Sequence, residues 1–108
     1  MKIIILTILI MASFSSAYAQ DLIAGIVIAD HYECKSSDHI VIQTNMGFTL
    51  AEVYSGYGKT LSGHSLFGKL HSFGFKDIYD KGGNKIGRLW IDDYYASKAT
   101  AAEWCYEG

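Results

Sequence analysis

Proline is absent from the 108-residue chain, and cysteine occurs only twice. Without proline, the edge of any β sheet must be protected by charges, by glycine bends or by a covering helix. Two isolated cysteines lack the paired-ligand spacing of a zinc site. No long apolar segment follows position 19, so nothing later in the chain reads as a membrane-spanning helix.

Charge of one sign is scarce as well. Nine Lys and Arg face eleven Asp and Glu, a net charge of −2. After position 2 the basic residues stand singly, at Lys35, Lys59, Lys69, Lys76, Lys81, Lys85, Arg88 and Lys98. Such scatter lacks the basic footprint that nucleic acid or an anionic membrane demands. The composition does not read as disordered either, because half of it is hydrophobic and no block of like charge occurs.

Catalytic motifs are missing in the same way. No His-Glu-x-x-His pair and no Gly-x-Ser-x-Gly elbow occurs, and Gly56, Gly58 and Gly63 are not followed by a helix whose N-terminus could hold a phosphate. Adjacent Asp92 and Asp93 are expected on opposite faces of a strand, which prevents their acting as a convergent pair of carboxylates. Neither a cofactor nor a metal is indicated.

Residues 1–19 have the three parts of a secretory signal: Lys2, an apolar run over 3–11, and the small-x-small site Ala17-Tyr18-Ala19. Cleavage after Ala19 leaves residues 20–108 as a single β-rich domain, with eight basic and eleven acidic residues, and no stable membrane insertion. A domain of this size buries only about 60% of its unfolded surface, so a covalent staple matters. Cys34 and Cys105 are expected to form a disulfide in an oxidising compartment, periplasmic or otherwise extracytoplasmic.

The rest of the pattern is mostly β. Residues 22–34 begin as a β-branched run, and alternation predicts that Ile26, Ile28, Tyr32 and Cys34 share the inward face while His31 and Glu33 stay outside. Residues 40–44 and 48–54 read as a hairpin joined by Asn45-Met46-Gly47. Residues 55–64 read as the longest loop. Residues 65–79 read as one strand bent at Gly68 and Gly74, and 80–84 as a turn into a strand over 85–95. In that last strand Leu89 and Ile91 take one face, and Arg88, Trp90 and Asp92 the other. Residues 97–107 read as a helix capped by Ser97 or Thr100, with Ala101 and Cys105 on one side. Together these elements predict a small, strongly bent, five-stranded SH3-like barrel, partly open, with a short C-terminal helix. An OB-like barrel is the alternative, disfavoured because its helix would sit between the third and fourth strands.

The aromatic residues point to function. Eight tyrosines, five phenylalanines and two tryptophans are more than so thin a core needs, and most fall within 54–106. Tyr54, Tyr57, Trp90 and Tyr94 are candidates for an exposed recognition patch with Arg88 and Asp92 at its rim, whereas Phe75 and Trp104 are expected in the core.

The expected function is a non-catalytic exported binding module for a protein or an envelope glycan. Inhibition of a secreted hydrolase, or immunity to a toxin, is the nearer alternative. A small hydrolase or metal-dependent enzyme using His64, His71 and an acid is the more distant one. Tyr32-Glu33-Cys34, with a second cysteine near the end, is similar to the layout of membrane-bound and periplasmic lysozyme inhibitors. The inhibitory loop motif of that family has no match here, so the likeness implies no site residue.

Overall fold

The computed structural model describes residues 22–107. The expected signal segment lies outside them. Six strands, β1 (Ile23–Ala29), β2 (His39–Thr44), β3 (Gly47–Ser55), β4 (Ser65–Gly68), β5 (Gly74–Tyr79) and β6 (Lys85–Ala96), are followed by one helix, α1 (Lys98–Tyr106). All pairings are antiparallel, and the strands close into a barrel in the order β1-β2-β3-β6-β5-β4. Small barrel and C-terminal helix are therefore as expected, while the barrel is closed and has one strand more.

The extra strand arises inside 65–79. Gly68 and Gly74 do not merely bend one strand; they end β4 and begin β5, and residues 69–73 form a link between them. Leu70 in that link is fully buried, and the hydroxyl of buried Thr49 donates to its carbonyl oxygen at 3.0 Å. A buried backbone acceptor is thus satisfied where no strand partner exists.

Hairpin β2–β3 turns on Asn45-Met46, and Gly47 opens β3 at φ 119°, a conformation that favours glycine. The β5–β6 turn is organised by Asp80, whose Oδ1 accepts from the backbone N–H groups of Gly82 and Asn84, each at 2.9 Å. These bonds hold the exposed Asp80 carboxyl below the usual carboxylate range.

The barrel interior is filled by Val27, Ile40, Ile42, Ala51, Val53, Leu66, Leu70, Ile78, Leu89 and Ile91. Full burial of one such side chain contributes about 1.5–3 kcal/mol. Leu89 and Ile91 face inward as their alternation in β6 requires. A second cluster lies outside the barrel wall, where α1 covers Ala29, Val41, Leu50 and Ala96 with Ala101 and Cys105. Adjacent residues therefore serve opposite sides: Ile40 and Ala51 fill the barrel, while Val41 and Leu50 support the helix.

The first strand corrects its expected facing. Val27 points into the barrel, while Ile26 and Ile28 are exposed. A register shift between Val27 and Ala29 then breaks the alternation, so that Ala29 joins the outer cluster under α1. Cys34 reaches that cluster from the turn after β1 and not by strand parity. It is bonded to Cys105, with Sγ–Sγ 2.09 Å, and Lys35 N–H donates to Cys105 O at 2.7 Å beside it. The disulfide is compatible with an exported protein.

Ser97 caps α1, accepting from Thr100 N–H at 3.1 Å, an interaction typically worth about 1 kcal/mol. Buried Asp30 ties the turn after β1 to the 60–64 loop. Its carboxylate accepts from the N–H groups of Tyr32 at 3.0 Å, Glu33 at 3.2 Å and Ser62 at 3.0 Å. Burial opposes its ionisation, but the backbone donors outweigh that and hold its carboxyl below the usual range.

Candidate functional site

On the outer surface, β2, β3, β6 and β5 run side by side. Their register aligns His39 with Glu52, Glu52 with Trp90, and Trp90 with Phe75. This transverse row begins at α1, where the His39 ring stacks on Trp104 with centroids 3.8 Å apart and planes 4° from parallel. It ends in an aromatic group. Phe75 meets Trp90 at 4.8 Å and Tyr54 at 5.1 Å, both edge-on, and the Arg88 guanidinium lies 4.8 Å from the Phe75 centroid.

All three rings of the group face solvent. Trp90 is 41% exposed, Phe75 43% and Tyr54 65%, so Phe75 is not the core residue that was expected. Its partner strand explains the difference: Phe75 pairs with Trp90, which already faces outward, and cross-strand partners share a face. Trp104 is half-buried against the outer cluster. Tyr54 reaches the group because a register shift between Val53 and Ser55 places one extra residue in β3. That shift is accommodated where the backbones of Ser55 and Gly56 pass close to those of Ile86 and Gly87. A Cβ at Gly87 would overlap Ser55 O.

Charged groups frame the rings on two sides. At one end Asp77 pairs with Lys85 at 3.3 Å and Arg88 at 3.7 Å. At the other lies a row of carboxylates. Trp90 Nε1 donates to Asp92 Oδ1 at 3.2 Å, and Tyr57 OH donates to Asp38 Oδ1 at 2.8 Å and to Val53 O at 3.0 Å. Accepting this bond, Asp38 holds the Tyr57 phenol above its ordinary value, with burial and the carboxylate's charge acting in the same direction.

Glu52 stands between Asp38 and Asp92. Its carboxyl is pushed up to about 7 by its hydrogen bond with Asp92, by burial, and by the charges of Asp92 and Asp38. Two ionised carboxylates have no proton to share, so that bond exists only while one of them is protonated. Asp92 Oδ2 is buried and accepts no hydrogen bond from any other group. A protonated Glu52 is the donor at hand.

Of the six residues predicted from sequence, Tyr54, Arg88, Trp90 and Asp92 come together directly, and Tyr57 joins through Asp38. Tyr94 does not. It packs against the barrel core and against Phe73 and Tyr95, with centroids 4.8 and 4.9 Å away. Two register shifts in β6 redirect it, one on each side of Asp93, with Tyr95 at φ 56° within the second. The first shift also corrects the expected placement of the paired aspartates. With Ile91 opposite Ala51 and Asp93 opposite Leu50, Asp92 is an extra residue, and both aspartates line one cavity beside α1.

Sequence reasoning missed Phe75, Glu52 and Asp38. Phe75 and Glu52 are legible only once register is known, because what marks them is alignment with Trp90.

The histidines are dispersed. His31 contacts Tyr32 and Tyr57, His39 stacks on Trp104, and His71 Nε2 lies 2.9 Å from Thr44 Oγ1, while His64 is exposed. Burial lowers the His71 pKa. No group of three or more His, Cys, Asp or Glu among the described residues is arranged to hold a metal ion. Comparison with protein-family models, with curated proteins and with solved structures finds no match to this chain.

Proposed function

We propose that the protein is an exported, periplasmic, non-catalytic binding module that recognises another protein through the outer face of β3, β6 and β5. The observation that supports this reading is the Tyr54–Phe75–Trp90 group, in which Phe75 contacts both other rings yet each ring is about two-fifths exposed or more. Large rigid side chains held by neighbours lose little freedom on binding, and tryptophan, tyrosine and arginine dominate the energetics of protein interfaces. The rings meet at 73° and 78°, so they offer no common plane for stacking a sugar. An uneven protein surface fits such knobs better. Inhibition of a secreted hydrolase is one activity such a face would serve.

Affinity capture from an envelope extract with the purified protein, beside sedimentation with envelope polysaccharide, tests the reading. The expected result is a captured protein that is lost on Trp90→Ala combined with Tyr54→Ala and kept with Tyr106→Ala, a substitution on the far end of α1. Capture unchanged in a folded double variant rejects this surface. Sedimentation with polysaccharide and no protein capture replaces the protein reading with a glycan one.

A further inference from the structure

An antiparallel strand with one face in the core and the other in water alternates apolar with polar residues, whereas a strand covered on both faces is apolar throughout. β1 has the second composition. Ile23, Gly25 and Val27 turn towards the barrel interior, and Leu22, Ala24, Ile26 and Ile28 form the opposite face, all four exposed. Ile26, in the middle, is 50% exposed.

Outward positions elsewhere on the sheet differ in one of two ways. On β3, β6 and β5 they include the charged Glu52, Arg88, Asp92 and Asp77. Where outward residues are apolar, at Val41, Leu50 and Ala96, α1 covers them. Ala29, the residue after Ile28, belongs to that covered cluster, so the β1 stripe is its uncovered continuation along the same strand. Its flanks are uncharged: Ile26 pairs with Gln43 of β2 and Ser65 of β4, and Ala24 with Phe67. Lys98 and Lys69 come in at the two ends, lining hollows with Ile28 and Leu22 respectively.

The preceding residues of the chain are too short to cover the stripe once a signal is cleaved after Ala19. Two residues reach about 7 Å, and a strand face from position 22 to 28 is about 20 Å long. An anionic membrane is a poor occupant, because the chain carries a net charge of −2 and the stripe has one lysine at each end and none along its flanks. A second copy fits better. It brings the same uncharged apolar strip, so that chains of like net charge meet where neither repels the other.

We infer that two copies of this chain associate back to back through the outer faces of β1, about a two-fold axis over the middle of the strand. In that arrangement Ala24 of one copy meets Ile26 of the other, and Leu22 meets Ile28. The convex walls touch first at mid-strand, where the small Ala24 leaves room for Ile26. A contact of one strand's width belongs with the small interfaces, below about 1,200 Å² in total, and gives a weak dimer. In the strand order β1-β2-β3-β6-β5-β4, β1 lies across the barrel from β6. The dimer therefore turns both aromatic faces outward and is bivalent, whatever those faces bind.

Sedimentation velocity of the secreted, disulfide-bonded protein, over about 1 µM to 1 mM, tests the inference. The expected result is a mass that rises from monomer to dimer and goes no further. Ile26→Lys and Ala24→Glu, both at exposed positions, are each expected to weaken the dimer about tenfold or more, because each sets a charge against an apolar wall. An equimolar mixture of the two variants is expected to regain the dimer, since the introduced charges then face each other across the axis. Circular dichroism confirms that both variants are folded, and Trp90→Ala is expected to leave the dimer intact. A monomer at every concentration overturns the inference, and so does a dimer indifferent to both β1 variants. A dimer abolished by Trp90→Ala would move the contact to the aromatic face. A monomer that sediments with phosphatidylglycerol vesicles, and loses this on Ala24→Glu, would give the stripe to the membrane instead.

Discussion

The two sides of the barrel wall are made of different materials. Among the described residues no aromatic one is a buried core residue, and the interior holds aliphatic side chains with alanine and threonine. Outside stand Tyr54, Phe75 and Trp90, together with Phe73, Tyr95 and Tyr106, all exposed. In a narrow closed barrel, branched aliphatic side chains fill the bore without strain, whereas rings are too large for it. Packing is thus concentrated inside the wall and exposed aromatic area outside it, and the two can be perturbed separately.

The outer cluster under α1 is the exception, since it lies outside the wall yet is built like a core. Replacing Cys34 and Cys105 by serine tests how far it behaves as one. The bond spans 71 residues, and closing so long a loop is worth up to about 4 kcal/mol in chain-entropy terms. The expected outcome is a loss of that order in urea unfolding, with the β signal in circular dichroism retained. Loss of the β signal under native conditions would mean that barrel and helix form a single unit.

Leu89→Ala strikes the interior itself. Leu89 is fully buried, and emptying such a site is expected to cost about 3 kcal/mol, measured as a fall in the urea midpoint, with partner capture unchanged at temperatures where the protein stays folded. Reduced capture in the folded variant would show that packing inside transmits to the outer face.

The carboxylate row gives a smaller effect with a defined pH dependence. Because Glu52 titrates at about 7 when folded and near the ordinary glutamate value when unfolded, the folded state holds an extra proton between these values. Its contribution is fully present below the unfolded pKa and is lost as pH rises towards 7. Glu52→Gln keeps the hydrogen bond without the charge. It is expected to stabilise the protein by about 1 kcal/mol at pH 8, a figure reduced for solvent screening at this half-buried site, and to leave it unchanged near pH 4. Equal effects at both pH values would refute the shared proton.

Trp90→Ala should matter least to stability. It is expected to shift the unfolding midpoint by no more than about 0.5 kcal/mol while removing partner capture. A large destabilisation would make the aromatic group part of the scaffold.

Local signals in the chain carried much of this structure. Asn45-Met46-Gly47 marks a hairpin, residues 85–91 alternate, and Ser97 stands where a cap belongs, because each depends only on neighbours a few residues away. The disulfide followed from two cysteines and an oxidising compartment. What stayed hidden depends on partners. Residues 22–28 are so uniformly apolar that no alternation distinguishes Ile26 from Val27, and the shift before Ala29 reverses facing with no mark in the sequence. The shift at Asp92 likewise joined two aspartates that strict alternation separates. Trp90 and Asp92 were legible as an outward stripe of β6, while Phe75 and Glu52 became visible only as its neighbours across the sheet.

Strand order has one more consequence. The last strand, β6, sits between β3 and β5 and completes the ring, and the helix after it carries the cysteine that closes the outer cluster. A chain lacking its C-terminal quarter leaves two strands without their shared neighbour and the outer cluster without its lid. Barrel closure therefore waits until β6 is at hand to pair with β3 and β5, and until then the longest-range pairings of the sheet are still to be made.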